Sequence, residues 1–155
     1  MQNVFGPQLE EFSNKTFLAL GIPADDAKVT AHILAQADLR GIDSHGVARL
    51  SIYAKRLKLG LINKHPNIKV VHEKAGGVIV DGDNGLGQVV AHTAMKLCLK
   101  KAKENGVAAV GVRNSNHFGI GAYYAMMALE EDMIGMMATN TSPLMAPFGG
   151  KEPLL

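Results

Sequence analysis

His117 stands in the run Gly111-Val-Arg-Asn-Ser-Asn-His-Phe-Gly-Ile-Gly121, between an apolar stretch and a glycine-rich turn. Imidazole is the side chain whose ordinary pKa lets it give and take a proton near neutral pH. Gly119 and Gly121 beside it carry no Cβ, so a ligand could approach their backbone N–H groups closely. The combination suits proton transfer to a small molecule; the same residue types also suit a hydrogen-bonded loop histidine. A second group lies in Asp43-Ser-His-Gly-Val-Ala-Arg-Leu50, where a hydroxyl (Ser44), an imidazole (His45) and a guanidinium (Arg49) crowd a predicted helix start. Arg49 and Tyr53 are four apart and share a helical face, and the arginine fork can hold a carboxylate by two hydrogen bonds. The plainer alternative is a Ser44 N-cap beside a surface arginine.

These groups need elements to position them. Leu9, Phe12, Phe17 and Leu20 predict a first helix from Pro7 to Leu20 stopped by Gly21, and Pro23 to Arg40 predicts a second stopped by Gly41. Asp43 or Ser44 then caps a third helix through Val47, Leu50, Tyr53 and Leu57, ending at Gly60. After Pro66 the period changes: Ile68, Val70 and His72, then Val78 and Val80, predict a strand pair around a turn at Glu73–Gly77. The loop Asp81–Gly87 leads into a long helix over Gln88–Glu104, with Val90, Ala94, Leu97 and Cys98 on one side. A strand at Gly106–Val112, a helix at Ala122–Leu129 and an apolar strand at Met133–Ala138 follow. The fold class is α/β, a helical segment at 1–65 followed by a mixed sheet with helices at 66–155. The chain stops after Pro153-Leu-Leu155 on a glycine-proline loop, which reads as the N-terminal part of something longer.

Composition narrows the chemistry. At 155 residues and 47% hydrophobic the chain can bury one core, and a formal net charge of +2 without charge blocks argues against a nucleic-acid surface. No apolar run is long enough for a leader or a membrane span, so the expectation is a cytoplasmic protein. The single cysteine, Cys98, reads as core. None of the six histidines forms a metal-ligand spacing, and no metal is expected. Gly82, Gly85 and Gly87 reverse the spacing of the Rossmann fingerprint and read as a tight turn. A hydrolase built on His117 lacks a nucleophile elbow.

Three segments in order, Asp-Ser-His-Gly-Val-Ala-Arg-Leu at 43–50, Asn-Ser-Asn-His-Phe-Gly-Ile-Gly at 114–121, and Asn-Thr-Ser-Pro…Ala-Pro-Phe-Gly-Gly at 140–150, resemble the type 2 malate/L-lactate dehydrogenase family, also called L-sulfolactate dehydrogenase-like. The resemblance covers essentially the whole chain, although members of the family are considerably longer. It implies a non-Rossmann fold that uses NAD or NADP on small 2-hydroxy or 2-keto acids, and a homodimer. It implies His117 as general acid and base, Arg49 holding the substrate carboxylate, and Ser44, His45 and Tyr53 lining the same pocket. Cofactor contacts are implied at His45, Gly119, Gly121, Asn140, Thr141, Ser142, Pro147 and Gly149. The alternative from another class is a non-catalytic dimerisation or binding module that keeps the fold of the enzyme's first half.

Overall fold

Pro7 lies in the first turn of helix α1 (Gly6–Ala19), where its missing N–H removes no hydrogen bond. The chain turns at Gly21 into α2 (Ala24–Leu39), whose first turn carries Asp25 and Asp26, acids that favour a helix N-terminus. Helix α2 buries Ala27, Thr30, Ala31, Ile33, Leu34, Ala35 and Ala37. So many small side chains leave room for helices to pack against α2 on more than one side. These details come from a computed structural model that describes residues 4–140, 143 and 146–153.

The continuous third helix expected from Asp43 or Ser44 does not form. Two 3₁₀ turns, Asp43–His45 and Val47–Arg49, precede α3 (Leu50–Lys58). The cap comes from α2 instead: an Asp38 carboxylate oxygen accepts the Val47 N–H at 2.9 Å, and neither Asp43 nor Ser44 caps by its side chain. Arg49 therefore sits in a 3₁₀ turn, one residue ahead of the helix that carries Tyr53.

Strands β1 (Lys69–Lys74) and β2 (Gly77–Asp81) pair antiparallel, with a register break between Val70 and His72. Helix α4 (Gly87–Asn105) crosses over to β3 (Ala109–Arg113), which pairs parallel with β2 and so completes a small mixed sheet in the order β1-β2-β3. Val78 and Val80 on one face of β2 are buried, whereas Ile79 between them is 42% exposed. Helix α5 (Gly121–Met126) is shorter than expected and is followed by a 3₁₀ turn at Leu129–Glu131. The strand expected at Met133–Ala138 is irregular backbone. Its Ile134 and Met136 are 95% and 88% exposed, and among the described residues no strand lies beside it to share hydrogen bonds. Cys98, expected in the core, is half-buried with its thiol 3.5 Å from the Ala108 carbonyl, and burial raises its pKa.

The main core gathers Phe17, Leu34, Leu50, Tyr53 and Leu57 with Leu86 and Val89 from the start of α4. Tyr53 is thereby anchored by its ring. Phe17 is fully buried at the centre of this cluster. Phe17→Ala is expected to lower the unfolding free energy by about 3–5 kcal/mol, read by urea denaturation followed by circular dichroism. A loss below about 1 kcal/mol would mean that the site collapses and that the cluster is not the main core. Among the described residues no helix is long and apolar enough to cross a membrane.

Candidate active site

Because β2 and β3 are parallel, their carboxyl ends lie side by side, Asp81 in register with Arg113. In open α/β sheets the loops that leave these ends are the ones that meet ligands. Asp81 ties the two loops together. Its carboxylate accepts from the Asp83 backbone N–H at 2.9 Å, the Asn114 amide at 3.1 Å and Arg113 Nε at 3.0 Å. These donors, the Asp83 N–H foremost, hold its carboxyl below the usual carboxylate range.

The loop before α4 braces the loop that carries His117. Asn84 N–H donates to the Asn114 carbonyl at 2.9 Å. The Asn116 amide donates to the carbonyls of Asn84 and Gly85 at 3.0 and 2.9 Å, while its own oxygen accepts from Arg56 of α3 at 3.1 Å. The first turn of α4 then packs directly on the peptide that precedes and includes His117. A Cβ at Gly87 would stand 2.2 Å from the Asn116 carbonyl oxygen and 2.4 Å from that of His117. Gly87 is thus required by close approach, whereas the left-handed positions of this loop are Asp83 and Asn84.

On His117, Nδ1 lies 2.7 Å from the Tyr53 hydroxyl and 3.3 Å from the Gly119 nitrogen. A backbone N–H can only donate, so Nδ1 is an acceptor. Tyr53 then donates to it as well, and the neutral ring carries its proton on Nε2. The ring stacks on His45 at a centroid distance of 5.4 Å and an interplanar angle of 25°. Partial burial, then the charges of His45 and Arg49, hold His117 below the ordinary histidine value of 6.5, so the neutral form dominates at pH 7. Burial pushes the Tyr53 phenol up to about 12, which keeps it a proton-bearing donor.

Behind these rings, Ser44 Oγ lies 2.9 Å from His45 Nδ1, and Arg49 Nε donates to the Ser44 carbonyl at 2.6 Å. That bond orients the guanidinium and leaves both Nη nitrogens available. Among the described residues no carboxylate pairs with Arg49. In front of them opens a cleft of about 650 Å³ whose lining includes His45, Asn114, Asn116, His117, Gly119 and Asn140. Among the described residues no carboxylate lines it, and Arg113, which is paired with Asp81, stands at its wall.

The structure therefore brings Ser44, His45, Arg49, Tyr53, His117 and Gly119 together, and puts Asn140 on the same cleft. Gly121 opens α5 beside Phe118 and Met137, outside the lining. Pro147 and Gly149 form an exposed turn closed by the Gly150 N–H on the Pro147 carbonyl at 2.8 Å, away from the cleft. Thr141 and Ser142 lie outside the described residues. Asp38, Gly87 and Asn116 carry no signal in the sequence, because each acts through a partner distant along the chain; Asn116 meets Asn84 across 32 residues.

A profile of the malate/L-lactate dehydrogenase family matches residues 6–155. L-sulfolactate dehydrogenase from Methanocaldococcus jannaschii is 54% identical over 135 residues, which span 87% of this chain and 39% of that protein. Malate dehydrogenase from Pyrococcus horikoshii is 50% identical over 148 residues, or 96% of this chain and 41% of the relative. The solved structure of malate dehydrogenase from Pyrococcus horikoshii OT3 superposes with a TM-score of 0.91 at 46% identity, covering 99% of this chain and 44% of that chain. The chain spans about two fifths of the length of these relatives. Matched over nearly its whole length in both sequence and fold, it belongs to the malate/L-lactate dehydrogenase family.

Proposed function

We propose that the protein is an NAD(P)-dependent oxidoreductase that interconverts a small 2-keto acid and its 2-hydroxy acid. The hydrogen bond between Tyr53 and His117 Nδ1 at the mouth of a carboxylate-free cleft carries the proposal, with family membership beside it. The cleft suits the nicotinamide end of such a cofactor: its polar groups at Ser115, Thr139 and Asn140 can meet a carboxamide and a ribose, and among the described residues no lining carboxylate repels a phosphate. His45, Gly119, Asn140, Thr141 and Ser142 would hold it. When bound, the nicotinamide supplies or takes up the hydride at the reacting carbon.

The chain's own residues handle the carboxylate and the proton. The two Nη nitrogens of Arg49 grip the substrate carboxylate, with Ser44 and His45 alongside. Protonated His117 gives the Nε2 proton to the carbonyl oxygen while the carbon is reduced; in the reverse direction the neutral ring removes it. Tyr53 serves both states, since its hydroxyl donates to Nδ1 of the neutral ring and rotates to accept from Nδ1–H of the charged one. In this scheme residues 1–65 supply the substrate grip, and residues 66–155 supply the first part of a non-Rossmann cofactor domain. The enzyme works in the cytoplasm as a homodimer.

The test is consumption of NADH or NADPH by the purified protein across a panel of 2-keto acids that includes oxaloacetate and pyruvate. Arg49→Lys should raise KM for the active acid roughly 10- to 100-fold, as expected when a bidentate grip worth about 1.5–3 kcal/mol becomes a point charge. An unchanged KM would remove Arg49 from the role. The exposed Ile134, Met136 and Phe148 favour a second reading, a non-catalytic module that uses these residues to bind a partner. A folded protein that self-associates without turnover of any acid would favour it.

A further inference from the structure

Asp38 is the next-to-last residue of α2, where a negative charge meets the negative end of the helix dipole and is locally disfavoured. Its partner explains the placement. One carboxylate oxygen accepts the Val47 N–H at 2.9 Å, and among the described residues this is the only side-chain hydrogen bond that joins residues 43–49 to another element. The carboxylate reaches that N–H by lying against Gly46. A Cβ there would overlap Oδ1, Cγ and Oδ2 of Asp38, each inside the 3.0 Å that real Cβ atoms keep. Gly46 has φ −88°, outside the left-handed region, so space rather than backbone freedom calls for glycine. From here the tie runs on to the arginine: the Arg49 N–H donates to the Gly46 carbonyl at 2.9 Å, and its Nε donates to the Ser44 carbonyl at 2.6 Å. Ser44 and His45 ride on the same pair of 3₁₀ turns, neither of which has a capping side chain at its own N-terminus.

We propose that Asp38 is a positioning residue for the substrate grip: through the Val47 N–H and the bare Cα of Gly46 it fixes the two 3₁₀ turns, and with them the directions of the Arg49 guanidinium and of the His45 ring that stacks on His117. Proton transfer is set elsewhere, since Tyr53 and the Gly119 N–H hold His117 Nδ1. Asp38 therefore acts on binding of the acid far more than on its reduction. What position 38 must supply is an acceptor for the Val47 N–H, which an asparagine oxygen also provides. The inference rests on the dehydrogenase reading for the identity of what Arg49 grips; the geometry itself is open to measurement without turnover.

The experiment combines keto-acid kinetics with ¹H–¹⁵N hydrogen-exchange NMR of the Val47 backbone amide and the Arg49 Nε–H, in the wild type, Asp38→Ala, Asp38→Asn, Gly46→Ala and the double variant Asp38→Ala with Gly46→Ala. In the wild type both hydrogens should exchange slowly with water; fast exchange at Val47 overturns the proposal whatever the variants do. Asp38→Ala should speed exchange at both positions and raise KM for the active acid roughly 10- to 100-fold, the span that one hydrogen bond to a charged group supports, with kcat within about threefold. Asp38→Asn should keep KM within about threefold of the wild type. Gly46→Ala pushes the carboxylate aside and leaves its charge, so it should reproduce Asp38→Ala, and it serves in its place if that variant does not fold. In the Asp38→Ala background the added methyl meets no carboxylate, and Gly46→Ala should change KM less than about twofold. An unchanged KM or an unchanged Arg49 exchange rate in folded Asp38→Ala or Gly46→Ala refutes the proposal. So does a kcat that falls as far as KM rises, an Asp38→Asn as impaired as Asp38→Ala, or an equal effect of Gly46→Ala in both backgrounds. The expected exchange changes in a protein that turns over no acid would leave the positioning role standing and sink the dehydrogenase reading alone.

Discussion

His117→Ala is expected to reduce kcat/KM for keto-acid reduction by about 10²- to 10⁴-fold, the range that a positioned general acid contributes. Binding of the acid should persist, because Arg49 is oriented by the Ser44 carbonyl rather than by the imidazole. KM should therefore move far less than kcat. The pH dependence carries the sign of the site. Burial, His45 and Arg49 all disfavour the charged ring, so His117 loses its proton at a pH below 6.5. Oxidation of the hydroxy acid, which needs the neutral ring, should rise with pH through that midpoint and then level off. Reduction, which needs the charged ring, should fall through the same midpoint. Steady-state rates in both directions from pH 5 to 8, with the variant beside the wild type, check both statements. A loss in kcat below about tenfold would mean that another group donates the proton.

Gly87→Ala is expected to have the second largest effect, although position 87 touches no ligand. Its new Cβ would stand 2.2 Å from the Asn116 carbonyl oxygen and 2.6 Å from the His117 carbonyl carbon, and real Cβ atoms essentially never come within 3.0 Å. The obstacle is backbone, so no side-chain rotation relieves it. Either the first turn of α4 or the 116–117 peptide must move by about 1 Å, and a misplacement of that size at a reacting group can cost about 10²-fold in rate. Overpacking of this kind also costs about 1–3 kcal/mol of stability. The expected result is a folded protein, less stable by that amount in urea denaturation, with kcat reduced about 100-fold and the Tyr53 to His117 hydrogen bond lengthened. Wild-type activity together with wild-type stability would show that the close approach is tolerated and that Gly87 does not set the position of His117.

Both results would trace to one architectural fact, the parallel pairing of β2 and β3. It sets Asp81 beside Arg113, so the loop into α4 and the loop into α5 leave the sheet together. Asp81, accepting from Arg113 and Asn114, and Asn116, donating to the carbonyls of Asn84 and Gly85, then bind one loop to the other. The helical segment contributes by a different route. The ring of Tyr53 is held in the main core, and its hydroxyl emerges at His117, 64 residues away.

What the sequence determined by itself is what local periodicity can carry. Apolar spacing and glycine stops located α1 and α2, and the change of period after Pro66 located the β1–β2 pair, because helix and strand bury different residues at different repeats. The strand, loop and helix around His117 were legible for the same reason. The start of α3 was not, since the chain before it is held in two 3₁₀ turns by Asp38 of another helix, whose oxygen takes the Val47 N–H and leaves no trace in the segment it holds. Met133–Ala138 has a strand's composition but finds no neighbouring strand among the described residues, and pairing is a property of two segments. Gln88 reads as an ordinary polar residue in a helix's first turn, and only its complete burial singles it out. Residue type and spacing set which chemistry each segment can offer, while the tautomer and orientation of His117 follow from non-local contacts that exist only once the core has closed.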